Sequence, residues 1–268
     1  VPQKYFDRFK LEDIQLPKQD PMETMEKLSP RALSMTGYNR PEHEFNILKK
    51  YGMEKEAVRA YLACISYADD CIGQIVDALE KSPERDNTIV VFWGDHGWHL
   101  GEKMRYRKFS LWDRSCHVPM IIVAPGVTKP GSVCKQPVSL LDLYPTLVSL
   151  AGLPANPLNE GNDITLLLQN PNAHWTKPAI TTLAQNEHSI CDGRYRYIIY
   201  RDGSEELYDH KHDPLEWKNL AADKKYVDVK AHLRTFIPKV NVPSIGKSHI
   251  SKSADEKPVK TRKGKRLT

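Results

Sequence analysis

The sequence has no long hydrophobic run and no ordered set of cysteines. None of its apolar stretches approaches the roughly 18 residues that a membrane-spanning helix needs, so we expect no membrane span. The five cysteines show neither a C-x-x-C pair nor a regular spacing, which excludes a disulfide-stapled scaffold. With 40% hydrophobic and 27% charged residues, the composition is that of an ordinary packed domain.

Positive charge is concentrated at one end of the chain. The formal net charge is +5, yet residues 247–268 alone hold eight lysines and arginines against two acids. This stretch has no aromatic residue and almost nothing to bury, so we predict a disordered tail over residues 241–268. A basic tail can touch an acidic polysaccharide, a nucleic acid or a membrane surface. A solvated tail is the commoner case, and we therefore predict no nucleic-acid partner.

Before the tail, the apolar pattern predicts helices and strands in alternation. The first fifty residues are rich in proline and predict a long irregular loop. Residues 54–79 carry apolar side chains at spacings of three and four, which predicts an amphipathic helix. The apolar run at 88–93 predicts a buried strand, and a helix followed by such a strand is typical of a crossover onto a mainly parallel sheet. Residues 139–151 predict a further helix closed by Gly152.

Residues 178–240 predict a smaller unit. Residues 179–183 predict a short strand, and 194–200 with 205–209 predict an antiparallel hairpin around a turn at 201–204. Residues 224–236 predict a helix that packs on the hairpin.

The segment after the strand at 88–93 carries the clearest chemical signal. It reads Gly94-Asp95-His96-Gly97-Trp98-His99-Leu100-Gly101-Glu102. Ligands of open α/β sheets bind outside the carboxyl ends of strands, which is where these polar side chains are expected. An Asp-His pair there is either half of a metal site or a turn-capping aspartate beside a solvated histidine.

A basic cluster follows this turn. Lys108 ends the run Lys103-Met104-Arg105-Tyr106-Arg107-Lys108, in which four of six residues are cationic. Beside a metal-binding carboxylate, the cluster suggests an anion held by metal and ammonium together. Taken alone, a solvated basic loop is the usual explanation. A second buried strand with a Pro-Gly stop is predicted within residues 116–126.

Together these segments resemble the sulfatase family of the alkaline-phosphatase-like superfamily, most of all its iduronate-2-sulfatase-like members. The matching stretches, in family order and spacing, are 88–102, 106–108, 117–126, 142–147 and 206–220. The resemblance implies an α/β fold. Residues 1–177 would form part of an alkaline-phosphatase-like α/β/α sandwich, and residues 178–240 a smaller carboxy-terminal antiparallel sheet plus helix.

The resemblance also implies roles for single residues. Asp95 and His96 are the expected calcium ligands, and Lys108 is the expected catalytic contact to the sulfate ester. His99, three residues after His96, is a candidate substrate contact, although a surface or supporting position is the commoner case. His188 is a candidate catalytic group on a loop before the hairpin, although a loop histidine more often has no such role.

The chain departs from the family in two respects. Sulfatases use a formylglycine made from Cys or Ser in a C/S-x-P-x-R motif, and none of the five cysteines fits it. The family's early Asp-Asp metal pair is also missing, since Asp69-Asp70 lies inside the predicted helix. We therefore expect the carboxy-terminal portion of a longer enzyme, with the formylglycine in a missing amino-terminal half, and no activity from this portion alone.

The expected function is hydrolysis of a sulfuric ester on a sugar or polysaccharide. Two alternatives stay open: a phosphodiesterase or phosphonate hydrolase of the same superfamily, and a non-catalytic fragment. The expected compartment is the periplasm or the cell exterior, or the lysosome in a eukaryote.

Overall fold

The computed structural model describes residues 1–243, so all but the first three residues of the predicted basic tail lie outside it. The helices are α1 (Gln3–Phe6), α2 (Met22–Met25), α3 (Pro30–Leu33), α4 (Glu44–Lys50), α5 (Glu54–Glu80), α6 (Asp113–Cys116), α7 (Leu143–Leu150), α8 (Thr165–Gln169) and α9 (Val227–Arg234). The strands are β1 (Val90–Trp93), β2 (His99–Leu100), β3 (Tyr106–Arg107), β4 (Met120–Val123), β5 (Ala179–Ala184), β6 (Glu187–Cys191), β7 (Tyr195–Ile199) and β8 (Glu205–Asp209). In this part of the chain, no helix is both long and apolar enough to span a bilayer.

The long helix α5 forms where the periodicity predicts it, ending one residue later. Both of its buried side chains lie in its first half. Val58 and Ala63 are buried, whereas Ile65 is 51% and Ile75 is 71% exposed. The second half of the helix therefore presents an uncovered apolar face.

The irregular loop predicted for the first fifty residues is wrong in part, because this stretch contains α1 to α4. The short helix α3 shows why such a turn forms in a proline-rich segment. Ser29 caps it by accepting the Ala32 N–H at 3.1 Å, and Pro30 occupies the first helical position, where its missing N–H costs nothing. The apolar side chains of α2 and α3 enter a core shared with later segments, which comprises Met25, Leu28, Ala32, Met35, Leu111, Trp112, Ile198, Tyr200 and Tyr208. Residues on both sides of the predicted domain boundary at 177/178 contribute to this core. The division of the chain into two domains there stays a prediction.

Strands β1 and β4 pair antiparallel, so the predicted mainly parallel arrangement is wrong for these two strands. The register joins Val90 to Val123 and Trp93 to Met120. Within residues 1–243 no third strand joins them, and Trp93 is 48% exposed rather than buried. The antiparallel pairing sets the end of β1 beside the start of β4.

The carboxy-terminal sheet is four-stranded and antiparallel, in the order β5-β6-β7-β8. The predicted hairpin of β7 and β8 is confirmed, with Tyr197 opposite Leu207. Successive side chains of β7 point to opposite faces: Tyr197 packs with Leu233 of α9, and Ile198 packs into the core described above. Strand β6 was not predicted, so His188 lies in a strand and not in the expected loop.

Candidate active site

The Asp-His turn lies directly after β1 and is held against the segment that precedes β4. The Gly94 N–H donates to the Pro119 carbonyl at 3.0 Å, and the Gly97 N–H donates to the Ser115 carbonyl at 2.9 Å. A Cβ at Gly97 would lie 2.0 Å from the Arg114 carbonyl oxygen. Only glycine therefore permits this close approach of the two backbones.

Three polar groups meet at this turn. The Lys108 Nζ lies 2.6 Å from His96 Nε2, and the same ring nitrogen lies 3.3 Å from Asp95 Oδ2. His96 Nδ1 lies 3.0 Å from the Gly97 carbonyl oxygen, which can only accept, so we assign the ring hydrogen to Nδ1. Nε2 then carries a free lone pair, which accepts from the Lys108 ammonium.

Stacked aromatic rings support the imidazole. The His96 ring lies 6.1 Å from that of Trp98, at an interplanar angle of 28°. Trp98 in turn stacks on Tyr61 of α5 at 6.3 Å. The packed half of the long helix thus fixes the orientation of the histidine.

Lys108 lies in a loop whose backbone is strained. Four of its non-glycine neighbours, Lys103, Met104, Arg107 and Phe109, have φ between 49° and 71°, a region that costs energy for residues with a Cβ. The buried Arg105 supports this conformation, because its guanidinium donates to the Met35 carbonyl at 2.6 Å and also to the Lys108 carbonyl. This bracing holds the strained loop, and with it Lys108, in the observed conformation.

The four cations of the basic cluster do not form one anion site. Lys103 is buried and pairs with Asp20 at 3.0 Å. Arg105 braces the loop, and Arg107 faces solvent with Glu44 at 3.5 Å. Only Lys108 reaches the Asp-His turn, so the cluster divides into scaffold cations and one site cation.

The turn opens into a cleft of about 1540 Å³ between the β1–β4 pair and the carboxy-terminal sheet. Its walls include Asp95, His96, His117, His188 and Cys191. Such a volume exceeds that of a typical small-ligand pocket, about 300–1,000 Å³.

His117 is a cleft residue that the sequence did not single out. Its Nδ1 lies 3.5 Å from Asp113 Oδ2, and the hydrogen bond to that carboxylate raises the pKa of His117. Asp113 is held by Arg196 at 2.6 Å. The signal that could have found His117 is its position immediately before β4, which antiparallel pairing sets beside the Asp-His turn.

His188 lines the cleft, but both of its ring nitrogens are engaged. Thr182 Oγ1 lies 2.9 Å from Nδ1, and the Asn241 amide lies 3.0 Å from Nε2. Burial lowers the pKa of His188, which favours the neutral ring. In this arrangement it joins β5, β6 and the segment after α9, and its catalytic role stays a prediction.

His99 is away from the cleft, with no exposed surface. Its Nε2 lies 2.9 Å from Ser110 Oγ, and its ring meets that of Trp112 edge-on at 6.2 Å. The predicted substrate contact does not fit this position, because a side chain without accessible surface cannot touch a ligand. The prediction relied on the position of His99 three residues after His96. In the structure, β2 begins at His99, and this strand directs the side chain into the core.

Asp95 and His96 fit a divalent cation as two of its ligands. Asp95 offers an 82% exposed carboxylate, and the Gly97 carbonyl orients the imidazole in the manner usual for metal-binding histidines. Among residues 1–243 no cluster of three or more His, Cys, Asp or Glu side chains could hold a metal. Two ligands cannot by themselves close the coordination sphere of a calcium ion, which takes about six to eight.

Comparison with known proteins agrees with this geometry. The family model "Sulfatase" matches residues 3–153, and the model "N-sulphoglucosamine sulphohydrolase, C-terminal" matches residues 94–242. A sulfatase of Formosa agariphila is 38% identical over 242 residues, or 90% of this chain. The chain belongs to the sulfatase family. It spans 47% of that relative's own length.

One further relative and one solved structure are also similar to this chain. A Delta 4,5-hexuronate-2-O-sulfatase of Bacteroides thetaiotaomicron is 32% identical over 70% of this chain and 41% of its own length. The phosphonate monoester hydrolase structure of Agrobacterium radiobacter superposes with a TM-score of 0.73 at 22% identity, over 88% of this chain and 52% of that one. The latter likeness shows a common fold alone. The predicted alkaline-phosphatase-like α/β fold, with its smaller antiparallel sheet, is confirmed.

Proposed function

We propose that this chain takes part in hydrolysing a sulfuric ester of a sugar or polysaccharide, with Asp95, His96 and Lys108 as its share of the catalytic site. The observation that carries the proposal is the 2.6 Å contact between Lys108 Nζ and His96 Nε2, with Asp95 Oδ2 3.3 Å from the same nitrogen. An ammonium beside His96, which lines the wide cleft together with Asp95, would suit an anionic ester bound by both metal and lysine.

We propose calcium as the metal that Asp95 and His96 hold. When bound, the ion would supply positive charge to the ester oxygens and to the attacking group. Calcium takes oxygen ligands by preference, whereas an imidazole also suits zinc. The identity of the ion is therefore part of the test: metal analysis of the purified enzyme should find calcium, and zinc in its place would contradict the assignment.

Lys108 would stabilise the charge that develops on the transferring sulfuryl group and on the leaving oxygen. Preorganised charge aimed at such oxygens is usually the largest catalytic contribution. The ammonium is preorganised here because Arg105 fixes the carbonyl of the same residue. An ester oxygen would replace His96 Nε2 as the partner of the ammonium when substrate and metal are bound.

We propose further that the formylglycine belongs to a segment outside these 268 residues. Within residues 1–243 the turn offers two candidate metal ligands, Asp95 and His96, where calcium takes about six to eight. Apolar surface on β1, β4 and α5 lies uncovered, including Trp93, Ile121 and Ile75. A segment that covers these faces and carries the nucleophile would complete both the core and the site, and without it we expect no turnover.

The test is sulfate release by the longer protein that joins this chain to a formylglycine-bearing segment. Lys108→Ala should lower kcat by about 10²–10³-fold, as loss of a preorganised charge does. Arg107→Ala is the matched control, because this neighbouring cation faces solvent and should leave turnover near that of the wild type. Unchanged turnover in Lys108→Ala would refute the site, and sulfate release by the 268-residue chain alone would refute the missing segment.

Phosphonate ester hydrolysis is the second candidate, favoured by the superposition on the Agrobacterium enzyme. Both reactions place negative charge on oxygens that a metal and a lysine would stabilise. The same longer protein should therefore be assayed with an aryl sulfate and with a phenyl phosphonate ester. A higher kcat/KM for the phosphonate ester would replace the sulfatase proposal.

For the substrate, we propose a uronate 2-sulfate, in line with an iduronate-2-sulfatase-like subtype. The hexuronate-2-O-sulfatase relative supports this choice, and His117 offers the cleft a ring nitrogen that can hydrogen-bond the uronate carboxylate. The match to the N-sulphoglucosamine sulphohydrolase model favours a glucosamine sulfate instead. Relative kcat/KM on the two sugars decides between them.

A polysaccharide substrate would place the enzyme in the periplasm or outside the cell, or in the lysosome of a eukaryote, which cell fractionation would check.

A further inference from the structure

We propose that His188 and Asn241 form a pH-sensitive latch, which holds residues 238–243 against the wall of the cleft and releases them when His188 gains a proton. The latch joins the carboxy-terminal sheet to the segment after α9. It uses no residue of the Asp-His turn and does not depend on which ester the cleft binds.

The segment after α9 is part of the cleft wall but is held at one point. Residues 238–243 line the cleft together with His188. In the part of the chain that the structure describes, every hydrogen bond of this segment is made by Asn241. Its neighbours Val240 and Val242 are both exposed, so apolar packing adds little. Asn241 therefore sets the position of the segment.

The side-chain amide of Asn241 has one orientation that satisfies its neighbours. Its Oδ1 accepts from the Asn186 backbone N–H at 3.0 Å, and that group can only donate. The amide nitrogen Nδ2 therefore points the other way, and it donates to Asn186 Oδ1 at 2.7 Å and to His188 Nε2 at 3.0 Å. The Gln185 amide donates to the Asn241 carbonyl at 3.1 Å, which also fixes the backbone of that residue.

This orientation dictates the protonation state of His188. An amide nitrogen only donates, so His188 Nε2 carries a lone pair and the ring hydrogen lies on Nδ1, which is 2.9 Å from Thr182 Oγ1. A second proton would place an N–H on Nε2 opposite the amide of Asn241, so that two donors would meet. Turning the amide over would break both of its bonds to Asn186. The latch therefore requires the neutral imidazole.

The surroundings of His188 do not favour an imidazolium. The side chains next to it on the neighbouring elements are uncharged: Thr182 on β5, Ile199 on β7 and Asn241 after α9. The charge within the segment, on Lys239, is positive and would oppose a second cation. Glu187 precedes His188, but its carboxylate is bound by Arg31 at 2.5 Å and lies 3.5 Å from Arg201. Burial lowers the pKa of His188 more than the Glu187 charge raises it.

Release of the segment in acid follows from the linkage of proton binding to the latch. Once released, His188 can take a proton with the pKa of an ordinary histidine, about 6.5, whereas the latched ring has no place for one. The released state therefore binds more protons, so the latch is intact above that pH and weakens below it. With one proton per latch, the ratio of latched to released chains should fall by up to about tenfold per pH unit.

The experiment follows the segment and the histidine together by NMR of the ¹⁵N-labelled 268-residue chain, from about pH 8 to about pH 4.5. Backbone relaxation of Val240 and Val242 reports the order of the segment, and the ring ¹⁵N shifts of His188 report its protonation. We expect order parameters near about 0.85 in the latched state and below about 0.6 after release, with the midpoint of the His188 titration. Backbone relaxation of Ile198, which lies in the core, should stay unchanged.

Two substitutions test the cause. Asn241→Asp places a carboxylate oxygen opposite His188 Nε2, so the protonated ring becomes the better partner. In this variant the segment should stay ordered in acid and loosen as the pH rises, which inverts the wild-type behaviour. His188→Gln removes the titrating group and should abolish the pH dependence. His212→Gln is the matched control, because this exposed histidine lies in the turn after β8 and should leave the midpoint unchanged.

Several results would overturn the proposal. They are a segment equally ordered at both ends of the pH range, a midpoint that differs from that of His188, and the wild-type pH dependence in Asn241→Asp. Loss of order at Ile198 with the same midpoint would also overturn it, since the whole chain would then unfold in acid. If Asn241→Asp does not fold, the two wild-type midpoints still decide.

Discussion

Replacing Gly97 with alanine should destabilise the chain far more than its size suggests. A Cβ at this position would lie 2.0 Å from the Arg114 carbonyl oxygen and 3.2 Å from that of His117. Carbon–oxygen contacts rarely fall below about 3.3 Å, so the Asp-His turn must retreat by more than about 1 Å. The obstacle is backbone, which cannot rotate away as a side chain can.

The expected cost has two parts. Retreat of the turn breaks the bond from Gly97 N–H to the Ser115 carbonyl, worth about 1 kcal/mol. Overpacking of a tight site costs about 1–3 kcal/mol more. The free energy of unfolding should therefore fall by roughly 2–4 kcal/mol, a large share of the ~5–15 kcal/mol that a domain has.

Urea unfolding followed by circular dichroism measures this change. Gly73→Ala is the matched control, since it makes the same substitution in α5 where nothing lies within 4 Å of the added Cβ. It should raise the free energy of unfolding by about 0.5–1 kcal/mol, because alanine favours the helix over glycine. A Gly97→Ala variant within about 0.5 kcal/mol of the wild type, or a loss of the same size in Gly73→Ala, would show that the two backbones do not meet as described.

Three further predictions follow from the same contacts. Asp95→Asn should weaken calcium binding by the longer enzyme, measured by titration calorimetry, and unchanged affinity would remove Asp95 from the metal site. Arg105→Met should lower the temperature of unfolding and kcat together, because the carbonyls of Met35 and Lys108 both lose their donor; a loss of kcat alone would mean that Arg105 does not brace the fold. Burial lowers the pKa of His99 well below its usual value, so the unfolded chain binds more protons and stability should fall as the pH drops below about 6.5, by up to about 1.4 kcal/mol per pH unit. His99→Gln should flatten that dependence in urea unfolding, and an unchanged slope would exclude His99 as its source.

The elements that the sequence predicted best are those with a strong local period. Helix α5 and the β7–β8 hairpin follow from apolar spacing and a turn signal, and both occur where predicted. Strand β6 was not predicted because its residues Glu187 to Ser189 are polar yet buried. Their polarity is satisfied by partners distant in the chain, such as Arg31 on Glu187 at 2.5 Å, and no local pattern reveals those.

The candidate site was predictable only in part, for a similar reason. Asp95, His96 and Lys108 stand close in sequence and carry a motif, and the structure brings them together. His117 was missed because its place depends on the antiparallel pairing of β1 with β4, which contradicts the parallel arrangement that the helix–strand pattern indicated. His99 was misplaced because a two-residue strand sets the direction of its side chain.

The proline-rich first fifty residues support the candidate site and are not only an irregular surface loop. The Met35 carbonyl accepts from Arg105, which holds the loop of Lys108, and Met35 itself packs in the core with Trp112 and Tyr208. The position of the site cation is therefore coupled to the packing of the carboxy-terminal sheet through one guanidinium. A substitution that loosens this core should displace Lys108 from His96 without touching either residue, since it would shift the Met35 carbonyl to which Arg105 is bound.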